Sequence, residues 1–468
     1  MQRIIITISL MLLTTIGIRA QRTVDVLDRG LVAMKVSGGI YLSWRILGEE
    51  YYNVTYNVYR DGQKLNDAPL SVSNYTDRSG TLSSTYTVKA VVNGSEQDES
   101  KAVKPWTTSY KEIQLKHEGI KSTLVPNDAT CADVDGDGEL EILMKFDNLS
   151  EMEQSYPKNG PTINGTVTRE YTIMECLKMD GTRLWWVNCG PNMGDFQNNE
   201  QNIVAYDWDG DGRAEAVMRA ADGTVIHLAD GTTYTVGDPS VNVRGATGGG
   251  TNWFVTTDGE YLVYMDGLTG KPYQCIPYPL KRLESGESDL NRAWGDGYGH
   301  RCSKHFFGAP YFDGEHPSLF LARGIYTRHK MIAYDIDPGS HQLIERWRWY
   351  NNTNGPWKGQ GYHNYCVADV DMDGRDEIVF GSMVIDDNGK GLSTTGFGHG
   401  DAEHVGDLNP TYTVWRSLPA WKTTPAPTTA MQPRRRYTTA IRPARTWAAA
   451  WPAISRTTIP AALAHLPT

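Results

Sequence analysis

Three stretches of the chain place carboxylates at one spacing. They read "DVDGDGELEILM" (133–144), "DWDGDGRAEAVM" (207–218) and "DVDMDGRDEIVF" (369–380). Acids fall at the first, third, fifth and ninth positions. The sets are Asp133, Asp135, Asp137 and Glu141; Asp207, Asp209, Asp211 and Glu215; Asp369, Asp371, Asp373 and Glu377. Carboxylates this close repel one another, and a bound cation is the natural compensation. Hard oxygen ligands in this number suit Ca²⁺. Gly138, Gly212 and Gly374 follow the third aspartate, where such a loop must turn sharply. In an EF-hand the bidentate glutamate comes at position twelve, between helices; here it comes at nine and an apolar strand follows. The expected role of these ions is to staple turns, so the chemistry must lie elsewhere.

Two histidine-bearing loops are the candidates for that chemistry. "GYHNYCVADVDMDG" (361–374) puts His363 just before the third acidic loop. "GFGHGDAEHVGDLNP" (396–410) gathers His399, Asp401, Glu403, His404 and Asp407. Imidazole beside a hard cation can complete a metal site or contact an acidic substrate. A lone histidine would more often be packing or surface, but a His-Gly-Asp cluster in a glycine-rich loop points to function.

The elements that position these residues read as strands. The chain has 468 residues, a net charge of −10, 47 Gly, 14 Trp and 25 Tyr. That length supports two or three domains, and the acidic balance argues against a nucleic-acid partner. The glycine and aromatic counts favour a turn-rich all-β protein suited to contact with sugar rings. Residues 1–20 have a basic start, an apolar run and a small residue at Ala20, which reads as a secretory signal peptide. No later segment reads as a membrane span. A secreted, monomeric protein is expected. Six scattered cysteines lack metal-type pairs and leave disulfides and free thiols both open.

Residues 21–106 contain short alternating strands, with a hairpin turn at Arg60-Asp61-Gly62. This texture resembles a fibronectin-III-like β-sandwich with a supporting role. "KAVKPW" (101–106) reads as a linker. From about 107 a unit repeats: an acidic loop with its apolar strand, then a strand, a D-G-type turn and an aromatic strand. The second half appears as "KMDGTRLWWV" (178–187), "YMDGLTGKPY" (264–273) and "YDIDPGSHQLIERWRW" (334–349). "YFDGEHPSLFLARG" (311–324) is a degenerate acidic loop with its strand. Such units cannot bury their own apolar faces, and arranged radially they form blades of a β-propeller. The uneven spacing implies long insertions, of which 148–168 and 291–307 are the richest in polar and aromatic residues.

Taken together, "VDVLDRGLVAM…GIYLSWRILG…YNVYRDG", "DVDGDGELEI", "DWDGDGRAEAVMRAADGT", "WGDGYGHR" and "FGHGDAEHVGDLNP" resemble the rhamnogalacturonan lyases of polysaccharide lyase family 11, over most of residues 24–412. The resemblance implies a small N-terminal β domain and an eight-bladed, calcium-laden propeller over 107–412. It implies β-elimination at rhamnose-(1→4)-galacturonate bonds of the rhamnogalacturonan I backbone of pectin. A cation and cationic side chains would neutralise the uronate carboxylate, and a base would take the C5 proton. It marks His363 and His399 as metal or active-centre residues, and Asp401 and Asp296 more weakly as active-centre candidates; Asp407, from which the acidic-loop rule can be started again, is a further candidate metal ligand. Two other readings stand beside it: a non-catalytic calcium-binding propeller for carbohydrate or protein, and a lyase acting on plain polygalacturonate.

From Thr411 the composition breaks. The tail is rich in Pro, Ala, Thr and Arg, holds no acidic residue, and shows no D-G turn. A disordered linker is one reading. A reading-frame shift near Tyr412 is the preferred one, making 413–468 an aberrant tail. The acidic-loop rule started at Asp407 demands Glu at 415, where the chain has Trp415. Thr413–Ser417 can be encoded so that the shifted frame reads Gly-Leu-Glu-Val, which supplies it. The region 451–460 in a shifted frame permits a match to the family's "GRGMAGDI" stretch, whose Arg the resemblance marks as catalytic. On this reading the propeller is incomplete, the family's Arg and Lys are absent, and the chain is inactive.

Overall fold

The computed structural model describes residues 22–23, 27–47, 54–113, 115, 124–148, 162–163, 166–167, 172–190, 192–193, 203–241, 258–297, 299–351, 355–406, 416–420 and 429–430. The segment read as a signal peptide, Asp407 and most of the tail lie outside the described residues.

In the N-terminal part, alternation of apolar and polar residues builds two antiparallel sheets that share one core. One sheet holds Val32–Val36, Gly39–Ser43 and Asn74–Asp77; the other holds Gln63–Lys64, Val54–Arg60, Tyr86–Val92 and Ser95–Glu99. Leu31, Ala33, Ile40, Leu42 and Trp44 of the first face Tyr56, Val58, Tyr86, Val88 and Ala90 of the second. The expected hairpin forms: Asp61 and Gly62 both take positive φ, and Arg60 pairs with Gln63.

Beyond residue 124, four-stranded antiparallel meanders follow one another, as the repeated unit requires. The first contains Leu124–Ala132, Glu141–Asn148, Ile173–Leu177 and Arg183–Asn188. The second contains Ile203–Tyr206, Glu215–Ala221, Glu260–Met265 and Pro272–Pro277. The third contains His305–Gly308, Leu319–Arg323, Lys330–Asp337 and Gln342–Tyr350. The fourth contains Cys366–Ala368, Glu377–Phe380, Met383–Ile385 and Gly391–Thr394. The fifth has three described strands, Ala402–Gly406, Arg416–Ala420 and Thr429–Ala430.

The second, third and fourth sheets bury both faces, and strand periodicity assigns side chains to the two neighbours. Ala216, Met218 and Ala220 enter a core shared with the first sheet, while Val217 enters one shared with the third. Phe320 and Ala322 pack toward the fourth sheet, Leu319 and Leu321 toward the second. Val379 joins a core reached by Val405 of the fifth. The second sheet also lends a hairpin to the first. Val225–His227 and Thr233–Thr235 extend its outer edge, and His227 stacks on Trp186 at 3.7 Å. That covers an edge that would otherwise expose unpaired backbone.

Among the described residues five such sheets follow one another and no closed ring is found. One expectation is corrected here. The tail, read as lacking any blade pattern, contributes Arg416–Ala420, whose backbone pairs antiparallel with Ala402–Gly406. All six cysteines are free thiols.

Candidate metal loops and a histidine cluster

The acidic loops fold alike because the first aspartate is a hub for backbone N–H groups. In the first loop Asp133 accepts from Gly136 at 2.7 Å, Asp137 at 3.1 Å and Gly138 at 2.7 Å. In the second, Asp207 accepts from Gly210, Asp211 and Gly212 at 2.7, 3.1 and 2.9 Å. The ninth-position glutamate reaches back to the second residue: Val134 N–H to Glu141, Trp208 N–H to Glu215, Val370 N–H to Glu377. Gly138, Gly212 and Gly374 all take positive φ, as the turn requires.

The third loop departs in one detail. Where the others have Gly136 and Gly210, it has Met372, held at φ 66. Asp369 there accepts from Gly374 at 3.0 Å, and its Oδ1 is buried with no hydrogen-bond partner. Glu377 Oε1 is likewise buried and unpartnered. Buried carboxylate oxygens without donors are costly, and a cation at this point would satisfy them.

Ligand atoms of Asp369, Asp371 and Glu377 lie within 4.8 Å of one another, as do those of Glu377, Asp386 and Asp387. Asp207, Asp209, Asp211 and Glu215 form a second such group, and Asp133, Asp135 and Glu141 a third. The donor sets are all oxygen. Of the expected ligands, Asp137 and Asp373 fall outside these groups, and Asp407 outside the described residues. Burial, with neighbouring acids adding to it, raises Glu141 to about 7 and Glu215 and Glu377 each to about 9.

The loops differ in what stands opposite that glutamate. Leu177 pairs with Ile142, Met265 with Ala216, and Ile385 with Ile378. One residue further, Lys178, Asp266 and Asp386 hold the same register position. Lys178 Nζ binds Asp135 and lies 3.8 Å from Glu141 Oε1. In the second loop an imidazole comes from another sheet, with His341 Nδ1 2.9 Å from Asp209 Oδ2. In the third, Asp386 adds a carboxylate.

The histidine cluster sits at the other ends of the strands. Strand Cys366–Ala368 leaves the His363 side and runs into Asp369. His363, His399 and Asp401 are brought together, with potential ligand atoms within 4.8 Å. His363 Nε2 is 3.7 Å from Asp401 Oδ1, and the two imidazoles are 5.0 Å apart. His399 Nδ1 faces the Gly361 carbonyl at 2.7 Å. A carbonyl only accepts, so Nδ1 carries the proton and Nε2 is the ring's basic atom.

Sequence reasoning missed Tyr326. Its ring lies 4.3 Å from His399 and its hydroxyl 3.5 Å from His363 Nε2. Tyr326 takes φ 65, a strained conformation for a bulky residue and one that clusters at functional sites. Arg301 lies over the same ring at 5.4 Å. Two other members of the sequence cluster turn out to be struts. Glu403 is buried, accepts from Gly381 N–H at 2.7 Å, and is raised by burial to about 8. Asp296 accepts from the Gly299 and Arg301 backbones at 2.9 and 2.8 Å, holding the turn into helix α2 (His300–Ser303), which follows α1 (Leu290–Trp294).

These features define an all-β repeat protein with acidic, cation-type loops at one end of its sheets and a histidine–aspartate cluster at the other. Residues 109–452 match the family model "Rhamnogalacturonan lyase family 11, C-terminal domain", and residues 22–106 match "Rhamnogalacturonan I lyases beta-sheet domain". The chain belongs to rhamnogalacturonan lyase family 11. It is 42% identical over 400 residues to rhamnogalacturonan endolyase YesW of Bacillus subtilis (strain 168), covering 84% of this chain and 60% of that protein. It is 39% identical over 402 residues to rhamnogalacturonan exolyase YesX of the same organism, covering 83% and 61%. The crystal structure of YesX superposes with a TM-score of 0.75 at 34% identity, over 88% of this chain and 66% of that one. A rhamnogalacturonan lyase from Bacillus licheniformis superposes with a TM-score of 0.72 at 35% identity, over 87% and 68%. The chain thus spans about three fifths of the length of the curated relatives it matches.

Proposed function

We propose that this chain descends from, and retains much of, a secreted lyase that cleaves rhamnose-(1→4)-galacturonate bonds of rhamnogalacturonan I by β-elimination. The observation that carries the reading is the His363–His399–Asp401 cluster beside Tyr326, set in a chain of this family. His399, with Nδ1 held by Gly361, presents Nε2 as a base or ligand. His363 and Asp401 stand close enough to ligate one cation together with His399. Tyr326 offers a ring against which a sugar can pack.

Ca²⁺ is the ion we assign to the loops, on the strength of their oxygen donors and the unpartnered oxygens of Asp369 and Glu377. Bound near a uronate, such an ion would neutralise the carboxylate and make the C5 proton easier to remove. The loops themselves hold the sheets in place: in each, the ninth-position glutamate ties the start of the second strand to the loop entrance.

The N-terminal pair of sheets sharing one core supports the fibronectin-III-like reading of 21–106, and the succession of meanders supports a propeller over 107–412. Secretion, through the segment 1–20, and a monomeric state belong to the same proposal. So does a frame shift near Tyr412, supported by the loss of acidic residues beyond Thr411. The family match to residue 452 and the pairing of Arg416–Ala420 pull the other way, and a DNA read across the codons for Asn409–Ser417 decides between them.

The activity test compares the chain with a frame-restored version, in calcium, on rhamnogalacturonan I and on polygalacturonate. Unsaturated uronate is expected from the restored chain on the alternating polymer and none from the chain as it stands. Product from polygalacturonate instead would reassign the substrate. Binding without product would make it a carbohydrate-binding propeller.

A further inference from the structure

Between the second and third sheets lies a buried charge cluster that the proposed reaction does not use. Glu260 is its carboxylate. Its Oε1 receives Arg219 Nη1 and Arg282 Nη2, each at 2.7 Å, and its Oε2 receives Arg323 Nη2 at 2.5 Å. All three guanidinium groups are no more than 1% exposed. Arginine stays charged in proteins.

Among the described residues, the hydrogen-bond partners of Arg282 and Arg323 supply no negative charge besides Glu260. Arg282 Nη1 is 3.0 Å from Cys302 Sγ and 2.8 Å from Ser303 Oγ. Burial pushes the Cys302 thiol up, so it stays neutral. Burial and the nearby guanidiniums hold His305 well below its ordinary value, so it is neutral too. Glu260 is ionised: burial opposes its charge, but the three arginines outweigh burial. Among the described residues, Arg282 and Arg323 set against Glu260 leave one positive charge uncompensated in a buried interface.

The same cluster has donors with nothing to donate to. Arg323 Nε and Nη1 and Arg282 Nε are buried without a hydrogen-bond partner among the described residues. Guanidinium N–H groups buried without acceptors, beside an excess of positive charge, are costly on both counts. An anion removes both costs. A divalent or bulky one would overcompensate or fail to fit among side chains this tightly buried.

We propose that this cluster is a binding site for a small monovalent inorganic anion, chloride, seated on the unpartnered nitrogens of Arg323. The ion ties the second sheet, through Arg219 and Glu260, to the third, through Arg323. The site shares no residue with the acidic-loop ligand groups or with the His363–His399–Asp401 group, so it does not rest on the lyase reading.

Bromide is the probe. Crystals of the full chain soaked in bromide are expected to show an anomalous peak within hydrogen-bond distance of Arg323. In solution, exchanging methanesulfonate for bromide at equal ionic strength should raise the thermal midpoint by about 3 °C or more. Two variants should lose that dependence. Arg323→Met removes the excess charge, and Ser303→Asp provides a built-in carboxylate beside Arg282. If Arg323→Met does not fold, Ser303→Asp decides. A water in place of bromide with no halide dependence would overturn the proposal, and so would halide dependence that survives in Ser303→Asp.

Discussion

The first and third acidic loops share a motif and a fold, yet their charges are balanced in opposite ways. Opposite Glu141 stands Lys178, whose ammonium binds Asp135. Opposite Glu377 stands Asp386, which adds a carboxylate to a group that already leaves oxygens of Asp369 and Glu377 unpartnered. The first loop carries part of its own counter-charge; the third leaves carboxylate oxygens that a cation would satisfy. Burial raises Glu141 to about 7, with Lys178 opposing the rise, and raises Glu377 to about 9, with Asp371, Asp369 and Asp373 adding to it. A repeat in sequence is therefore not a repeat in electrostatics, because the deciding residue comes from the neighbouring strand.

The strongest way to break the comparison is Glu377→Ala. It should lower calcium binding at the third loop by at least about 100-fold and cost roughly 3–5 kcal/mol in calcium, since it leaves the other acids unbridged. Calorimetry and thermal unfolding read both. If Glu141→Ala is equally damaging, the two loops are equivalent and the contrast fails.

Chelation sharpens the contrast through pH. A carboxyl raised in the folded state stabilises fully below its unfolded value, about 4.5, and loses that contribution as pH rises through its folded value. Without calcium, stability should fall from about pH 4.5 upward. The first loop's share should be gone by about 7 and the third's by about 9. Calcium should flatten the profile. Unfolding in chelator across this range that is flat, or that rises with pH, would contradict the burial argument.

A smaller effect is expected from Asp386→Lys, which gives the third loop the first loop's arrangement. The variant should be more stable than the parent in chelator and bind calcium more weakly. Smallest is Lys178→Met. Lys178 is partly exposed, so solvent screens its pairs and the loss in chelator should be about 1 kcal/mol or less, recovered when calcium is added. A larger loss that calcium does not recover would make Lys178 a structural pin.

Much of this was legible because local chemistry dictates it. The acidic loops, their strands and the D-G-type turns fall where periodicity places them, and His363, His399 and Asp401 do meet. Three features were not legible, each for a physical reason. Lys178 reads as an ordinary turn residue until the pairing of Leu177 with Ile142 puts it over Glu141. Tyr326 has no motif; its importance lies in a backbone angle and in rings from two other segments. Arg219, Glu260, Arg282 and Arg323 come from four separate segments, and only the stacking of two sheets makes them one cluster. Conversely, Glu403 shared a loop with His399 in sequence, but strand alternation turned it inward.

The account turns most directly on whether His399 acts in β-elimination. The measurement is the rate of unsaturated uronate release from rhamnogalacturonan I by the frame-restored chain and by its His399→Gln variant, in calcium. The account predicts turnover by the first and a loss of about 100-fold or more in the second, with the fold intact by thermal unfolding. Full activity in His399→Gln would contradict it, as would a folded, polymer-binding restored chain that releases no unsaturated product.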